Sequence, residues 1–296
     1  MLHDMGVCLL DKPLGLSSNQ AVQKVKRLLK AKKAGHTGSL DPLATGLLPI
    51  CLGQATRFAQ FLLHANKLYQ VTAQVGAMTT TADAEGDVIN HYPIPSNLAQ
   101  RLTRVLPQFM GDIEQIPPMY SALKHQGKRL YQWAREGVEV ERAPRHITIH
   151  QLELLDCQTD QFTLQVHCSS GTYIRTLIED IAMAMDTGAY VQSLRRLAIG
   201  DCTPVTMMSL SQLTDDLAMN RTIPLMPVDW LVNQWPKVQI TREQAGRICQ
   251  GQIIDWLEPN VAEGWVQIWQ QQPKLFIGMG QLNQQRLAPK RLLNSQ

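Results

Sequence analysis

Gly35-His36-Thr37-Gly38-Ser39-Leu40-Asp41-Pro42-Leu43-Ala44-Thr45-Gly46 places one carboxylate, Asp41, inside a segment suited to close backbone approach. Gly35, Gly38 and Gly46 each permit φ > 0, which lets another chain come near. Pro42 stiffens the turn after the acid and restricts Asp41 itself to extended conformations. No Gly-Lys-Ser/Thr follows, so the run is not a phosphate-cradling loop. No second acid lies within ten residues of Asp41, so the paired-carboxylate chemistry of glycosidases has no local support. Two readings remain. Asp41 is a rigidly held nucleophile, or it caps a following helix and the glycines only make a turn.

Upstream, Ser17 with Gln20 forms a capping box for a helix running to about Lys30, with Ala21, Val22, Val25, Leu28 and Leu29 at helical spacing. Val7–Leu10 reads as a short buried strand. The stretch Lys24–Lys33 holds six basic residues in ten and no acid. It is either a solvated helix face or a patch for phosphates beside the Asp41 loop. Downstream, the pattern predicts a helix over Ala55–Ala65, a strand over Tyr69–Val75, a polar connection from Gly76 to Gly86 and a helix over 96–110. Phe162–Cys168 alternates as a strand, and Gly171-Thr172 turns it into a helix from about Tyr173 to Met185. Arg175 then falls in the first helical turn, where a cation opposes the macrodipole; it should answer a carboxylate elsewhere in the chain. Between Ile116 and Arg145, Tyr120, Tyr131 and Trp133 interleave with Lys124, Lys128, Arg129 and Arg135. That mixture suits RNA stacking and phosphate contact, and an amphipathic helix explains Leu130, Trp133 and Ala134 equally well. Pro224, Pro227 and Pro236 punctuate a linker. Beyond it come a strand at Val238–Ile240, a helix capped by Thr241 with Gln244, and strands at Trp265–Trp269 and Lys274–Gly280.

Composition narrows the function classes. The 296 residues are 44% hydrophobic, enough for a packed core. No apolar run approaches the roughly 20 residues of a membrane span, and the first residues lack the pattern of a signal peptide. The expected setting is cytoplasmic. Cys8, Cys51, Cys157, Cys168, Cys202 and Cys249 are scattered and read as reduced core thiols. His146 and His150 sit on an alternating, strand-like run, where four residues span about 13 Å, too far for one ion. No Gly-x-Gly-x-x-Gly follows a strand. Neither a metal nor an organic cofactor is indicated. The net charge of +3 lies wholly in residues 237–296, which hold seven Lys/Arg against four Asp/Glu.

The Asp41 run, continued by Leu47-Leu48-Pro49, resembles the catalytic motif of bacterial tRNA pseudouridine synthases, and more narrowly the branch that modifies uridine 55 in the T-loop. Other stretches match in order: Leu10-Asp11-Lys12-Pro13 with Gly15-Leu16-Ser17-Ser18, Lys67-Leu68-Tyr69, Thr81-Ala82-Asp83-Ala84-Glu85-Gly86, Ile116-Pro117-Pro118-Met119-Tyr120-Ser121-Ala122, Gly171-Thr172-Tyr173-Ile174-Arg175 and Leu194-Arg195-Arg196. The resemblance runs from about Gly6 to about Arg291.

It implies an α+β fold: a catalytic domain over residues 1–236 around a mixed, mostly antiparallel sheet, with an RNA-binding thumb at about 116–146. Residues 237–296 are similar to the small β-barrel-like PUA-type domains that bind RNA. It implies isomerisation of a tRNA uridine to pseudouridine, with Asp41, Tyr69 and Arg175 as the catalytic group. Asp41 is the nucleophile or the base that starts bond cleavage, by attack at C1′, attack at C6 or a glycal route. Arg175 keeps it ionised, Tyr69 lies against the uracil, Leu194 floors the base, Tyr173 packs at the pocket edge and Lys12 supports it. The target base must be flipped out of its stack, and His36 is placed to fill the space it leaves. The implied partner is the T-arm of tRNA, acted on by a monomer. Two rivals stay in view. One is a non-catalytic tRNA-binding or tRNA-folding protein, which has no joint need of Asp41, Tyr69 and Arg175. The other is a hydrolase, which lacks a second acid or a metal site.

Overall fold

The computed structural model describes residues 5–200, 206–257 and 261–294. It opens with strand β1 (Gly6–Lys12) and helix α1 (Ser18–Leu28). The Ser17 side chain accepts from the Gln20 amide, and the Gln20 side chain accepts from the Ser17 amide at 2.8 Å. Such a cap is worth about 1 kcal/mol. The basic run follows the helix only to Leu28 and then continues as coil to β2 (Ala34–His36).

The Asp41 loop is bracketed by β2 and by β3 (Ala44–Leu52). A strand, not a helix, follows Asp41, so the capping alternative is overturned. Of the three glycines, Gly38 and Gly46 adopt φ of +142° and +95°, while Gly35 lies in β2 without positive φ.

Further along, the helix expected at Ala55–Ala65 is broken into a 3-10 turn (Gly53–Arg57) and α2 (Ala59–Leu63), neither with a side-chain cap. Tyr69 enters near the start of β4 (Lys67–Val75). The region taken as a polar connection begins a small hairpin, β5 (Ala77–Thr79) with β6 (Val88–His91). Helix α3 (Leu98–Val105) tightens into a 3-10 turn at Leu106–Phe109, where Pro107 has no amide to donate. After β7 (Gly111–Gln115) come a short hairpin, β8 (Lys124–His125) and β9 (Lys128–Arg129), and α4 (Leu130–Arg135). The chain continues through β10 (Arg145–Cys157), β11 (Gln161–Cys168), α5 (Ile174–Met183), β12 (Ala189–Ile199) and α6 (Leu210–Ala218). The last part holds β13 (Lys237–Ile240), α7 (Arg242–Cys249), β14 (Ile254–Asp255), β15 (Gly264–Gln270), β16 (Leu275–Asn283) and β17 (Arg286–Leu292).

The large sheet has the order β1-β3-β12-β4-β11-β10-β7, with β2 on the far end of β3. Only β12 with β3 is parallel; its other pairs are antiparallel. The expected mixed, mostly antiparallel α+β sheet is therefore present. The second sheet, β13-β15-β16-β17-β14, makes the small C-terminal β-rich unit.

Side-chain alternation divides the core. On β1, Cys8 and Leu10 face a core shared with α1 and α5, whereas Val7 and Leu9 face a second core with Phe58, Phe61, Leu62, Leu231 and Val232. Burial on both faces explains the near-continuous apolar runs of β1 and β3. The second core also takes in Phe276 and Met279 of β16, and the Phe61 ring lies 5.1 Å from both Trp235 and Trp265. The proline-rich connection is thus packed: Val7 and Met226 exchange backbone hydrogen bonds of 2.8 Å. Of the cysteines, Cys8, Cys51 and Cys168 are buried, and burial pushes their thiols up to about 12, 12 and 11. Cys157 is half-buried, Cys249 is exposed rather than in the core, and Cys202 lies outside the described residues. Among the described residues no helix is long and apolar enough to cross a membrane.

Candidate active site

Asp41 sits on a loop clamped from several sides. Ser18, at the start of α1, is buried; its Oγ accepts from the Leu40 amide at 2.7 Å and donates to the Leu40 carbonyl at 3.0 Å. The Pro42 carbonyl accepts from the Gly15 amide at 2.9 Å, and the Asp41 carbonyl accepts from the Ala44 amide at 3.1 Å. Lys12 is fully buried and donates to the carbonyls of Pro13, Leu16 and Pro42 at 2.9, 2.5 and 3.3 Å. Burial pulls its pKa down to about 8, with Glu85 and Asp41 opposing. On the other side of the acid, Arg196 donates from Nη1 to the Ser39 carbonyl at 3.3 Å and from Nη2 to the Gly38 carbonyl at 3.1 Å. Gly46 is required here: a Cβ would fall 2.3 Å from the Arg196 carbonyl, where β12 crosses.

Arg175 meets its carboxylate. Its Nη2 lies 2.9 Å from Asp41 Oδ2. The same guanidinium lies 3.4 Å, through Nη1, from Asp83 Oδ2, and donates to the carbonyls of Thr81 and Tyr120 at 2.8 Å each. The two carboxylates differ. Asp83 is 3% accessible, accepts from Thr81 Oγ1 at 2.5 Å and from the Glu85 amide at 3.1 Å, and cannot reach solvent. Asp41 is 45% accessible and opens to the cleft. The crowding walls push its pKa above the ordinary carboxylate value; Arg175 and Lys12 pull it back and Asp83 adds to the rise. One turn along α5, Glu179 is pushed up to about 7, mainly by burial.

Asp41, Tyr69, Tyr173, Arg175 and Leu194 all line one cleft of about 590 Å³, together with Ser121–Leu123, Lys67 and Arg196. The sequence therefore named five side chains, from four separate segments, that the fold brings to one place. Burial pushes the Tyr69 phenol up, and the positive charge of Arg196 opposes this. Tyr173 caps α5, and its backbone is held by Gln115, which accepts from the Tyr173 amide at 2.7 Å and donates to its carbonyl at 3.0 Å.

Two of the named residues lie outside the cleft lining. Lys12 does not face the cleft; with no accessible surface, its ammonium can only brace the loop from beneath. His36 is in β2, outside the cleft lining, with Nδ1 accepting from the Gly38 amide at 3.2 Å. Burial and Arg196 lower its pKa, so it is neutral. In residues 116–146 the basic and aromatic side chains meet one another: Lys128 lies 4.1 Å over Trp133 and pairs with Glu136, and Arg135 lies 5.4 Å over Tyr131. Asp83, Arg196 and Gln115 were not singled out as site residues. Asp83 and Arg196 lay within quoted motifs. Gln115, mid-strand and uncharged, gave no signal. Among the described residues no three His, Cys, Asp or Glu side chains come together as a metal site.

The cleft thus presents one solvent-open carboxylate, held by a buried arginine, beside a tyrosine and a leucine. Residues 26–174 match the TruB family pseudouridylate synthase N-terminal domain, 175–232 the tRNA pseudouridylate synthase B C-terminal domain, and 236–293 the pseudouridine synthase II TruB C-terminal region. The chain is 46% identical to tRNA pseudouridine synthase B of Serratia proteamaculans (strain 568), covering 97% of this chain and 95% of that one. It is also 46% identical to the same enzyme of Nitrosococcus oceani, covering 98% and 95%. Among solved structures it resembles a chain of a Cbf5-Nop10-Gar1 complex, with TM-score 0.73, 28% identity and coverage of 94% and 78%. The chain is a pseudouridine synthase, an RNA-modifying isomerase. It belongs to the TruB family, whose reaction converts uridine to pseudouridine in tRNA.

Proposed function

We propose that this enzyme isomerises uridine 55 in the T-loop of tRNA, with Asp41 as nucleophile and the target base flipped into the cleft. In the reaction the N1–C1′ bond breaks, the uracil turns, and C5 bonds to C1′; the proton lost from C5 is matched by one gained at N1. No net redox change is involved. The observation that carries the reading is the Asp41–Arg175 contact of 2.9 Å on the wall of an open cleft. A carboxylate free to be desolvated by substrate, yet held by a buried guanidinium, stays ionised and aimed as the base enters.

The other roles follow from place. Leu194, 8% accessible, offers an apolar floor for uracil. Tyr69 lies against the base and assists removal of the C5 proton. Tyr173 forms the rim. The base is stacked inside a folded loop and must be extruded before reaction; His36, at the end of β2 where the Asp41 loop begins, fills the space the base leaves. Residues 1–236 carry the chemistry, with 116–146 as a thumb over the T-arm, and residues 237–296 hold tRNA through their net positive charge. The enzyme acts as a monomer in the cytoplasm. The deciding experiment is incubation of purified protein with an unmodified tRNA transcript, followed by pseudouridine mapping. Product at a site other than 55, or product from Asp41→Asn, overturns the reading.

A further inference from the structure

We propose that Arg196 is a positioning residue for the isomerisation, fixing with one guanidinium the turn that presents Asp41 beside Tyr69. The proposal rests on the roles given above to Asp41 and Tyr69.

Sheet register puts it there. β12 runs between β3 and β4, and Arg196 is the cross-strand partner of Gly46 on one side and Tyr69 on the other. Opposed residues on neighbouring strands point to the same face, so the Arg196 and Tyr69 side chains share the cleft side of the sheet. Gly46, without a side chain, leaves room for the crossing. The neighbouring Arg195 points the other way and makes a two-pronged pair with Asp11 at 3.0 and 2.7 Å. Adjacent arginines thus have opposite kinds of partner.

Arg196 is 1% accessible, and among the described residues no carboxylate pairs with it. Its Nε donates to the Leu47 carbonyl at 2.8 Å, and its two Nη atoms donate to the Ser39 and Gly38 carbonyls. A buried cation satisfied only by carbonyls is a costly arrangement. A stability purpose would be served as well by an apolar side chain. What the guanidinium adds is a rigid fork with donors in fixed directions. That fork spans the carbonyls two and three residues before Asp41. It also keeps a positive charge beneath the pocket, felt by Tyr69, His36, Lys12 and Lys67 alike. Any slack in the fork moves the two reacting groups relative to each other.

The test begins with wild-type enzyme and Asp41→Asn on an unmodified tRNA transcript. A silent wild type or an active Asp41→Asn overturns the underlying reading, not this proposal. With that control passed, Arg196→Lys is compared with wild type for tRNA Kd, for single-turnover rate at saturating tRNA and for amide hydrogen exchange. The expected rate loss is about a hundredfold, the scale of a 1 Å misplacement of reacting groups. Kd should stay within about threefold, and exchange should quicken across residues 38–41. A near-normal rate, a loss seen only in KM, or unchanged exchange there overturns the proposal. Should Arg196→Lys fail to fold, Arg196→Gln carries the same three measurements.

Discussion

Two buried arginines line the same cleft and are balanced in opposite ways. Arg175, 5% accessible, faces two carboxylates: Asp83 behind it, closed to solvent, and Asp41 before it, open to the cleft. Arg196, 1% accessible, donates only to carbonyl oxygens among the described residues. At the first, the rear carboxylate satisfies the cation permanently, so the front one can be lent to chemistry without leaving a bare buried charge. At the second there is no acid to lend, and the cation works through geometry. The difference shows that burial does not fix what a charged side chain is for; the arrangement of its counter-charges does.

The comparison is broken most severely at its front carboxylate. Asp41→Asn should abolish pseudouridine formation while leaving tRNA binding within a fewfold, and Asp41→Glu should fail nearly as badly, since about 1 Å of misplacement can cost a hundredfold. Product mapping with filter binding checks both. Arg175→Ala comes next. It strands Asp83 as an uncompensated buried carboxylate, a change worth about 3–5 kcal/mol, so denaturant unfolding should show the loss alongside the rate. Arg175→Lys should recover little, because one ammonium cannot hold both acids and the carbonyls of Thr81 and Tyr120.

Asp83→Asn is a finer probe. It leaves Arg175 to Asp41 alone and removes a like charge that helps raise the Asp41 pKa. In the wild type that pKa lies above the usual carboxylate value. Since the ionised form is the active one, the rate should fall as pH drops through this raised pKa. In Asp83→Asn the acid limb should move to lower pH, because both changes favour the carboxylate. At neutral pH the variant should lose roughly tenfold in rate, the scale of one loosened orienting contact. A pH profile of single-turnover rates reads both numbers, and an acid limb that stays in place would separate Asp83 from the Asp41 equilibrium. Smallest of all is the effect of metal removal. If protein groups alone balance the cleft, exhaustive EDTA treatment should leave the rate unchanged, and activity restored by added zinc would refute this.

The site was legible where its chemistry conflicts with local structure. Arg175 stood out because a cation in the first turn of α5 opposes the helix dipole, which points to a partner outside the helix. Asp41 stood out as the lone acid among glycines. Asp83 did not, because Thr81-x-Asp83 also reads as an ordinary turn; only β12, bridging Asp83 through Val191, brings it behind Arg175. Lys12 came only from the resemblance, as a support of the pocket. Its burial on three carbonyls is a tertiary fact that no local pattern carries. Among the strands, β1, β4 and β11 alternate or run apolar and were readable. β3 was not, because Gly46 and Pro49 look like punctuation. Its second-side partners explain why both are tolerated: β12 pairs up to Gly46 and β2 starts at Ile50, so Pro49 falls between them. β12 itself holds Ser193, Arg195 and Arg196 and has register shifts on its β4 side, which blurs any alternation.

The single parallel pairing of the large sheet, β12 with β3, also bears on how the protein is made. β12 is the last strand of the large sheet to be synthesised, yet it is inserted between β3 and β4 near the middle. A nascent chain ending before Ala189 has every other strand of that sheet but a gap at its centre. β1 with β3 and β4 with β11 can pair early as separate antiparallel pieces. They can join only when residues 189–199 have left the ribosome, and closing such distant contacts is slow. Asp41 and Tyr69 belong to the two pieces, and Arg196 is on the strand that joins them. Until that strand arrives, the nascent enzyme holds its two reacting side chains on unconnected fragments and has no cleft with which to act on tRNA.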